Sequence, residues 1–451
     1  GQDNADLNIR GFGTPLVIVD GIEGSISSLD AGQIESLTIL KDGSGSIYGA
    51  RAGNGVILVT TKRGSNNKAT VTFNSSVTMQ SNIVTTLPAD SRQRAQLSND
   101  SFINRGGKPS RKPYTEEELE LFTLGTDPNY LNSDWYHEVV RKFAPQQNHN
   151  VSVAGGNDRT RYYGYAGYNR QELQFKPNSG YYDRYNIQAN FSTKVTDQLT
   201  VGMNMQYLKD CKNYPSGGDL FQDGENFWQD LIYNADPRYP LYLPDASRLS
   251  YGGIFNGSPI WAVNIDNSGY YRVDGNNFKL TGFAEYDFKY VEGLSAKANI
   301  LYTYNTSNLK WMHKRGQFYT YDYDTASYAD AGGSVEPTSL QYSTDISDNI
   351  VQQYSLNYDR SFGDHQISAL AMFESSLNKG YGYMTRRHDF KTAIIEEIIA
   401  GDEKTAKNSS YSSNYGRQSV IGRLNYNYAE KYMVEAAFRA DASSRFAKGH
   451  R

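Results

Sequence analysis

The chain has 451 residues, of which 37 are tyrosine and 41 glycine, and its hydrophobic fraction of 38% and mean hydropathy of −0.65 exclude a large dry aliphatic core. A net charge of −4 without a basic stripe argues against a nucleic-acid partner. The single cysteine, Cys211, excludes an internal disulfide framework and a cysteine-based zinc site, and no apolar run of about 18 residues offers a helical membrane span.

The chain opens GQDNADLNIRGFG, without a starting Met or a signal peptide, and closes DASSRFAKGHR; both ends read as cut, and the chain reads as a fragment. Short apolar runs between turn signals follow. PLVIVDG is a strand ending in Asp20-Gly21, IESLTIL reads as a helix end running into a strand, and NGVILVTTKRG is a strand after an Asn-Gly turn. These predict a small α/β unit of about 60 residues. Its glycine-rich stretch, LKDGSGSIYGARAG, invites a nucleotide reading that fails on spacing. No Lys-Ser/Thr follows Gly45 or Gly49, as a phosphate loop requires, and Gly49 stands one place too late for a dinucleotide fingerprint. The glycines read instead as tight turns.

Beyond Lys68 the pattern changes to strict alternation. In YNIQANFSTKV, Tyr185, Ile187, Ala189, Phe191 and Val195 share one face, while Asn186, Gln188, Asn190, Ser192 and Lys194 share the other. Leu199, Val201, Met203, Met205 and Tyr207 repeat the pattern after a short turn. The series predicts about eleven strands, most of ten residues or more, against about 5–6 in soluble sheets and about 9–11 for a tilted membrane-crossing strand. Tight turns follow every second strand. Most other connections are long, at 81–147, 211–275, 311–344 and 381–414, with a shorter one near 172–181. That parity, with tyrosines at strand ends, predicts an antiparallel transmembrane β-barrel, incomplete within this chain. Eleven strands in an open sheet leave two unpaired edges, which lipid does not tolerate.

The long connections hold Trp135, Trp228, Trp261 and Trp311, which read either as faces for cargo or a partner or as loop packing. Asp322, Asp324 and Asp330 lack the third ligand and the glycine of a calcium loop. The six histidines form no H-E-x-x-H, and there is no G-x-S-x-G elbow; no catalytic, metal or cofactor constellation emerges, so the chain does not read as an enzyme.

LNIRGFGTPLVIVDGIEG followed by IESLTILKDGSGSIYGARAGNGVILVTTKRG resembles the second half of the plug of TonB-dependent outer-membrane transporters, and within them the SusC/RagA family. Matching positions include Pro15, Asp20, Gly21, Glu35, Lys41, Asp42, Tyr48, Gly49, Arg51, Asn54, Gly55, Lys62 and Gly64. Downstream, NHNVSVAGGNDRTRYYGYAGY resembles an early barrel hairpin of that family. YMVEAAFRADASSRF resembles its mid-barrel strand, with Arg439, Asp441, Ser443, Ser444, Arg445 and Phe446. The resemblance divides the chain into the C-terminal half of a plug, 1–67, and the N-terminal half of a barrel of about 22 strands, 68–451. It implies nutrient import across a Gram-negative outer membrane as the channel subunit of a SusC/SusD-like complex. The plug would face the periplasm and the long loops the exterior. Partners would be a SusD-like surface lipoprotein, outer-membrane lipid and a TonB complex acting through a segment outside this chain. Oligosaccharides are the first cargo class implied and peptides the second. Glu35, Lys41, Asp42 and Arg51 would pair the plug with the barrel wall. The alternative is a secreted β-rich glycan-binding or adhesin module, which requires short strands and no sidedness of loops.

Overall fold

The computed structural model describes residues 8–9, 13–41, 43–83, 86–176, 178–217, 224–254, 257–334 and 337–447. Strands near the start form a small four-stranded sheet: β1 (Leu16–Val19), β2 (Ile22–Glu23), β3 (Ile34–Leu40) and β4 (Val56–Thr61), in the order β2-β1-β4-β3. β1 and β4 are parallel, and the other pairs antiparallel. IESLTIL is strand throughout, and the helical turns of this unit, Ile26–Ser28, Ala31–Gln33, Gly43–Tyr48 and Ala50–Asn54, are 3-10. A small core of Leu29, Ile57 and Val59 holds the unit together.

The large sheet has eleven antiparallel strands. These are β5 (Thr70–Gln80), β6 (Ala144–Gly156), β7 (Thr160–Glu172), β8 (Tyr181–Lys194), β9 (Leu199–Pro215), β11 (Gly269–Asp287), β12 (Leu294–His313), β15 (Ser339–Phe362), β16 (His365–His388), β17 (Lys407–Tyr428) and β18 (Tyr432–Ser443). Each strand pairs with its sequence neighbour in the sheet, and β5 and β18 are the edges. A third, three-stranded sheet, β10 (Leu249–Ser250), β13 (Gln317–Asp322) and β14 (Ser327–Gly333), lies in the long connections.

The large sheet is inverted relative to a soluble one. On β8, Tyr185, Ile187 and Phe191 are 44–45% exposed, whereas Asn186, Gln188 and Asn190 are buried. The parity holds across the sheet: Ile300, Tyr302, Leu356, Phe373 and Val420 face outward, while Thr303, Gln353, Glu374 and Ser419 are buried on the other face. Exposed apolar positions in register across many strands form the belt that a hydrocarbon solvent requires. No helix among the described residues is long and apolar enough to cross a membrane.

β15 and β16 each run 24 residues, roughly 80 Å at about 3.3 Å per residue, far more than a bilayer needs. The extra length lies on the side of the long connections, where Ser339 pairs with His388. Segments expected as loop at 311–344 and 381–414 are therefore partly strand, where alternation of apolar and polar residues no longer marks them. On the opposite side the turns are tight. Lys431 donates its N–H to the Tyr428 carbonyl at 3.0 Å, across Ala429 and Glu430, both with positive φ, as short hairpin turns require.

Candidate functional site: a small sheet docked on the polar face

Asp20, with φ 50°, and Gly21, with φ 89°, turn β1 into β2. The Asp20 carboxylate accepts from the Thr61 N–H at 3.0 Å and from its hydroxyl at 2.7 Å, locking the end of β4. Pro15 is buried, Asn54 Nδ2 reaches the Thr14 carbonyl at 3.5 Å, and Gly55 turns the chain into β4 at φ 92°. Gly49 is required by its φ of 82°, and Gly64 by close approach. A Cβ on Gly49 would lie 3.2 Å from the Arg439 side chain, and one on Gly64 would sit 2.3 Å from the Tyr162 backbone nitrogen.

On one side the small sheet is held mainly by neutral amides, joined by one lysine. Gln33 closes a capping box on Asp30, its Oε1 accepting from the Asp30 N–H at 2.7 Å. Gln33 Nε2 donates to Gln188 Oε1 at 2.9 Å, and Asn186 Nδ2 donates to Gln33 Oε1 at 3.2 Å and to the Ser28 carbonyl at 3.3 Å. Lys62 contributes its backbone: its N–H donates to the Gln33 carbonyl at 2.8 Å, and its carbonyl accepts from Asn190 at 2.8 Å and Gln188 at 3.4 Å. Lys279 Nζ reaches Ser28 Oγ at 2.9 Å.

On the other side charged groups dominate, with one amide, Gln353, among them. Arg51 grips Glu23 with two bonds of 2.7 Å, and Arg417 lies 3.7 Å from the same carboxylate. Arg417 also reaches Glu374 at 3.1 Å, and Arg439 reaches Glu374 at 3.4 Å and Asp441 at 2.9 Å. Arg439 Nη1 donates to the Ile47 carbonyl at 3.1 Å, close to half-buried Tyr48, and Gln353 Nε2 donates to the Gly21 carbonyl at 3.4 Å. Between the two sides Ile22 packs on Leu301 and Val351.

Of the charges expected to pair with the wall that lie among the described residues, Arg51 alone joins this network, and it does so through Glu23. Glu35 and Lys41 are exposed, and Asp42 lies outside the described residues. Sequence reasoning missed Glu23, Gln33, Gln353, Glu374 and Arg417. The available signal was long polar side chains at inward positions of otherwise alternating strands.

The long connections carry their own core. Trp135, Tyr136, Val139 and Val140 come from the first, Phe175 from the second, Phe227, Leu231, Ile254 and Trp261 from the third, and Phe318 from the fourth. Trp135 and Trp261 are 2% and 1% exposed, with Nε1 donating to the carbonyls of Asp236 at 3.0 Å and Asn267 at 3.1 Å. Of the two readings, loop packing describes both: each indole is enclosed. Trp228 stacks tilted on Phe175 at 5.1 Å. Trp311, near the end of β12, donates to Ser216 Oγ at 2.7 Å beneath the Arg386 guanidinium. Beside this core, Arg238 binds Asp236 at 2.6 Å and donates to the Tyr114 hydroxyl. Burial alone would raise the Asp236 pKa, but the Arg238 bonds prevail and hold it below the usual carboxylate value. Residues 321–332 belong to the β13–β14 hairpin, where Asp322 caps the turn through the N–H groups of Asp324 and Thr325, both at 2.9 Å. Among the described residues no group of three or more His, Cys, Asp or Glu side chains is arranged to hold a metal ion.

Residues 1–56 match the model of the TonB-dependent Receptor Plug Domain. TonB-dependent receptor P3 of Formosa agariphila is 28% identical over 98% of this chain and 40% of its own length. TonB-dependent receptor SusC of Bacteroides thetaiotaomicron is 24% identical over 99% of this chain and 44% of its own. The chain thus spans well under half the length of these relatives. Among solved structures, the RagAB peptide importer in its open-open state aligns with a TM-score of 0.72 at 20% identity, covering 97% of this chain and 49% of that one, so the two share a fold.

Proposed function

We propose that this chain, a SusC/RagA-type TonB-dependent receptor sequence, supplies the retained part of a plug and one side of the barrel wall to an outer-membrane nutrient importer. One observation carries the reading: the large sheet exposes Tyr185, Ile187 and Phe191 and buries Asn186, Gln188 and Asn190 under the small sheet. Such a sheet needs lipid on one side and a polar filling on the other. Residues 1–67 act as plug and 68–451 as wall, with long loops outside the cell and the plug toward the periplasm.

In operation the plug blocks a wide barrel at rest. A TonB complex pulls on a plug segment outside this chain, and cargo captured under a SusD-like lipoprotein passes inward. The role is transport rather than catalysis. Oligosaccharides are the first cargo class and peptides the second. Likeness to a SusC receptor supports the partner, while likeness to the RagAB peptide importer keeps the second cargo open. The secreted-module alternative is disfavoured by strands of up to 24 residues and by long connections confined to one side.

The test uses the full-length parent in a Gram-negative host, with growth measured on glycans and on peptides as sole nutrient, with and without TonB. Growth on either that requires both the parent and TonB supports import. A parent that partitions into the aqueous phase without detergent, and whose deletion alters growth on neither, ends the reading.

A further inference from the structure

We infer that the small sheet opens as a hinged flap, its ionic edge against β15–β18 parting first while its amide edge against β8 stays docked as the pivot. This rests on the import reading. Three observations converge on it. The two edges differ in chemistry: Gln33, Gln188 and Asn190 make neutral bonds, whereas Glu23, Arg417 and Glu374 are charged. They differ in burial: Gln33 and Gln188 are each 1% exposed, whereas the Glu23 side chain is 42% exposed. They also differ in connectivity: Lys62, whose carbonyl the amides hold, leads within a few residues into β5, so the chain itself tethers that edge.

Buried neutral amide bonds are insensitive to ionic strength and costly to leave unmade. Glu23, with its side chain 42% exposed, is the solvent-facing member of its pair with Arg417, at 14%, so salt weakens that contact more than it weakens the amides. The Glu23–Arg417 contact is long at 3.7 Å, and Arg417 keeps Glu374 at 3.1 Å when Glu23 leaves, so parting strands no charge on the wall. Force or screening therefore releases the ionic edge first. The opening forms beside β15–β18, where Gly21, Glu23 and Ile47 leave Gln353, Arg417 and Arg439, and cargo passes along that wall.

Hydrogen-exchange mass spectrometry on the full-length parent in detergent micelles, at 0.05 M and 1 M sodium chloride, tests this. Exchange in 16–23 and 43–54 is expected to accelerate about two- to fivefold in high salt, with 26–33 and 61–64 unchanged. Arg417→Gln should reproduce the change at low salt while leaving the wall strands protected. Equal acceleration at both edges, or release of 26–33 first, overturns the flap. A parent that shows one-sided release but imports neither glycan nor peptide would overturn only the import reading. A parent that imports but releases evenly would overturn only the flap.

Discussion

Gln33 and Gln188 meet side chain to side chain at 2.9 Å, 155 positions apart in sequence and with almost no solvent on either. Gln33 is the N3 residue of a local cap and also the grip of the small sheet on the wall. One amide thus serves both local folding and docking.

Replacing one partner should cost more than replacing both. Gln188→Leu leaves Gln33 Nε2 buried without an acceptor, at about 1–3 kcal/mol of docking stability. The double variant Gln33→Leu/Gln188→Leu should cost less than the sum of the singles. Urea titration of the full-length parent, read by proteolysis of the small sheet, measures both. Strict additivity would show that the two amides do not act as a pair.

The outward and inward faces should respond oppositely to charge. Leu356→Arg, on the exposed face, should lower folding into liposomes by about 2–4 kcal/mol if it lies near the bilayer midplane. Ser355→Arg, one residue away and on the polar face, should be tolerated far better. Equal folding yields for the two variants would contradict the inverted sheet.

Trp135 and Trp261 should behave as core residues of the loop cap. Trp135→Ala or Trp261→Ala should cost about 3–5 kcal/mol of local stability, because each leaves a cavity where an indole was enclosed. Trp311→Ala, near a strand end, should cost less. Limited proteolysis of the long connections separates these outcomes; wild-type resistance in Trp261→Ala would argue against a shared core.

Acid should loosen the same cap through Asp236. Its pKa is lower folded than unfolded, so the bond with Arg238 contributes stability above the ordinary carboxylate value of about 3.9. That stability is lost as pH falls through the folded value. Tryptophan fluorescence of the parent should stay flat down to about pH 4 and then shift. Asp236→Asn should be weaker at neutral pH and lose that acid-dependent component; an unchanged acid transition would assign it to another group.

The strands were legible because alternation is local. Each of the eleven wall strands has a period-two signature, and Asn186, Gln188 and Asn190 could be placed on one face from spacing alone. The motif glycines were legible as turns, although what Gly49 and Gly64 press against was not. The outer ends of β15 and β16, residues 339–344 and 381–388, were read as loop, because alternation of apolar and polar residues does not continue into them. Which polar side chains meet across the interface was also illegible: Glu23 with Arg417, and Gln353 with Gly21, lie hundreds of residues apart in sequence.

By itself, then, the sequence determined a sided, membrane-type sheet and a small glycine-turned unit ahead of it, since both follow from neighbouring residues and their solvent. Only the tertiary structure decided that the unit is held mainly by amides on one edge and by charged groups on the other, and that four connections pack their aromatic side chains into one core. Those outcomes depend on distant segments desolvating one another, and no local period records them.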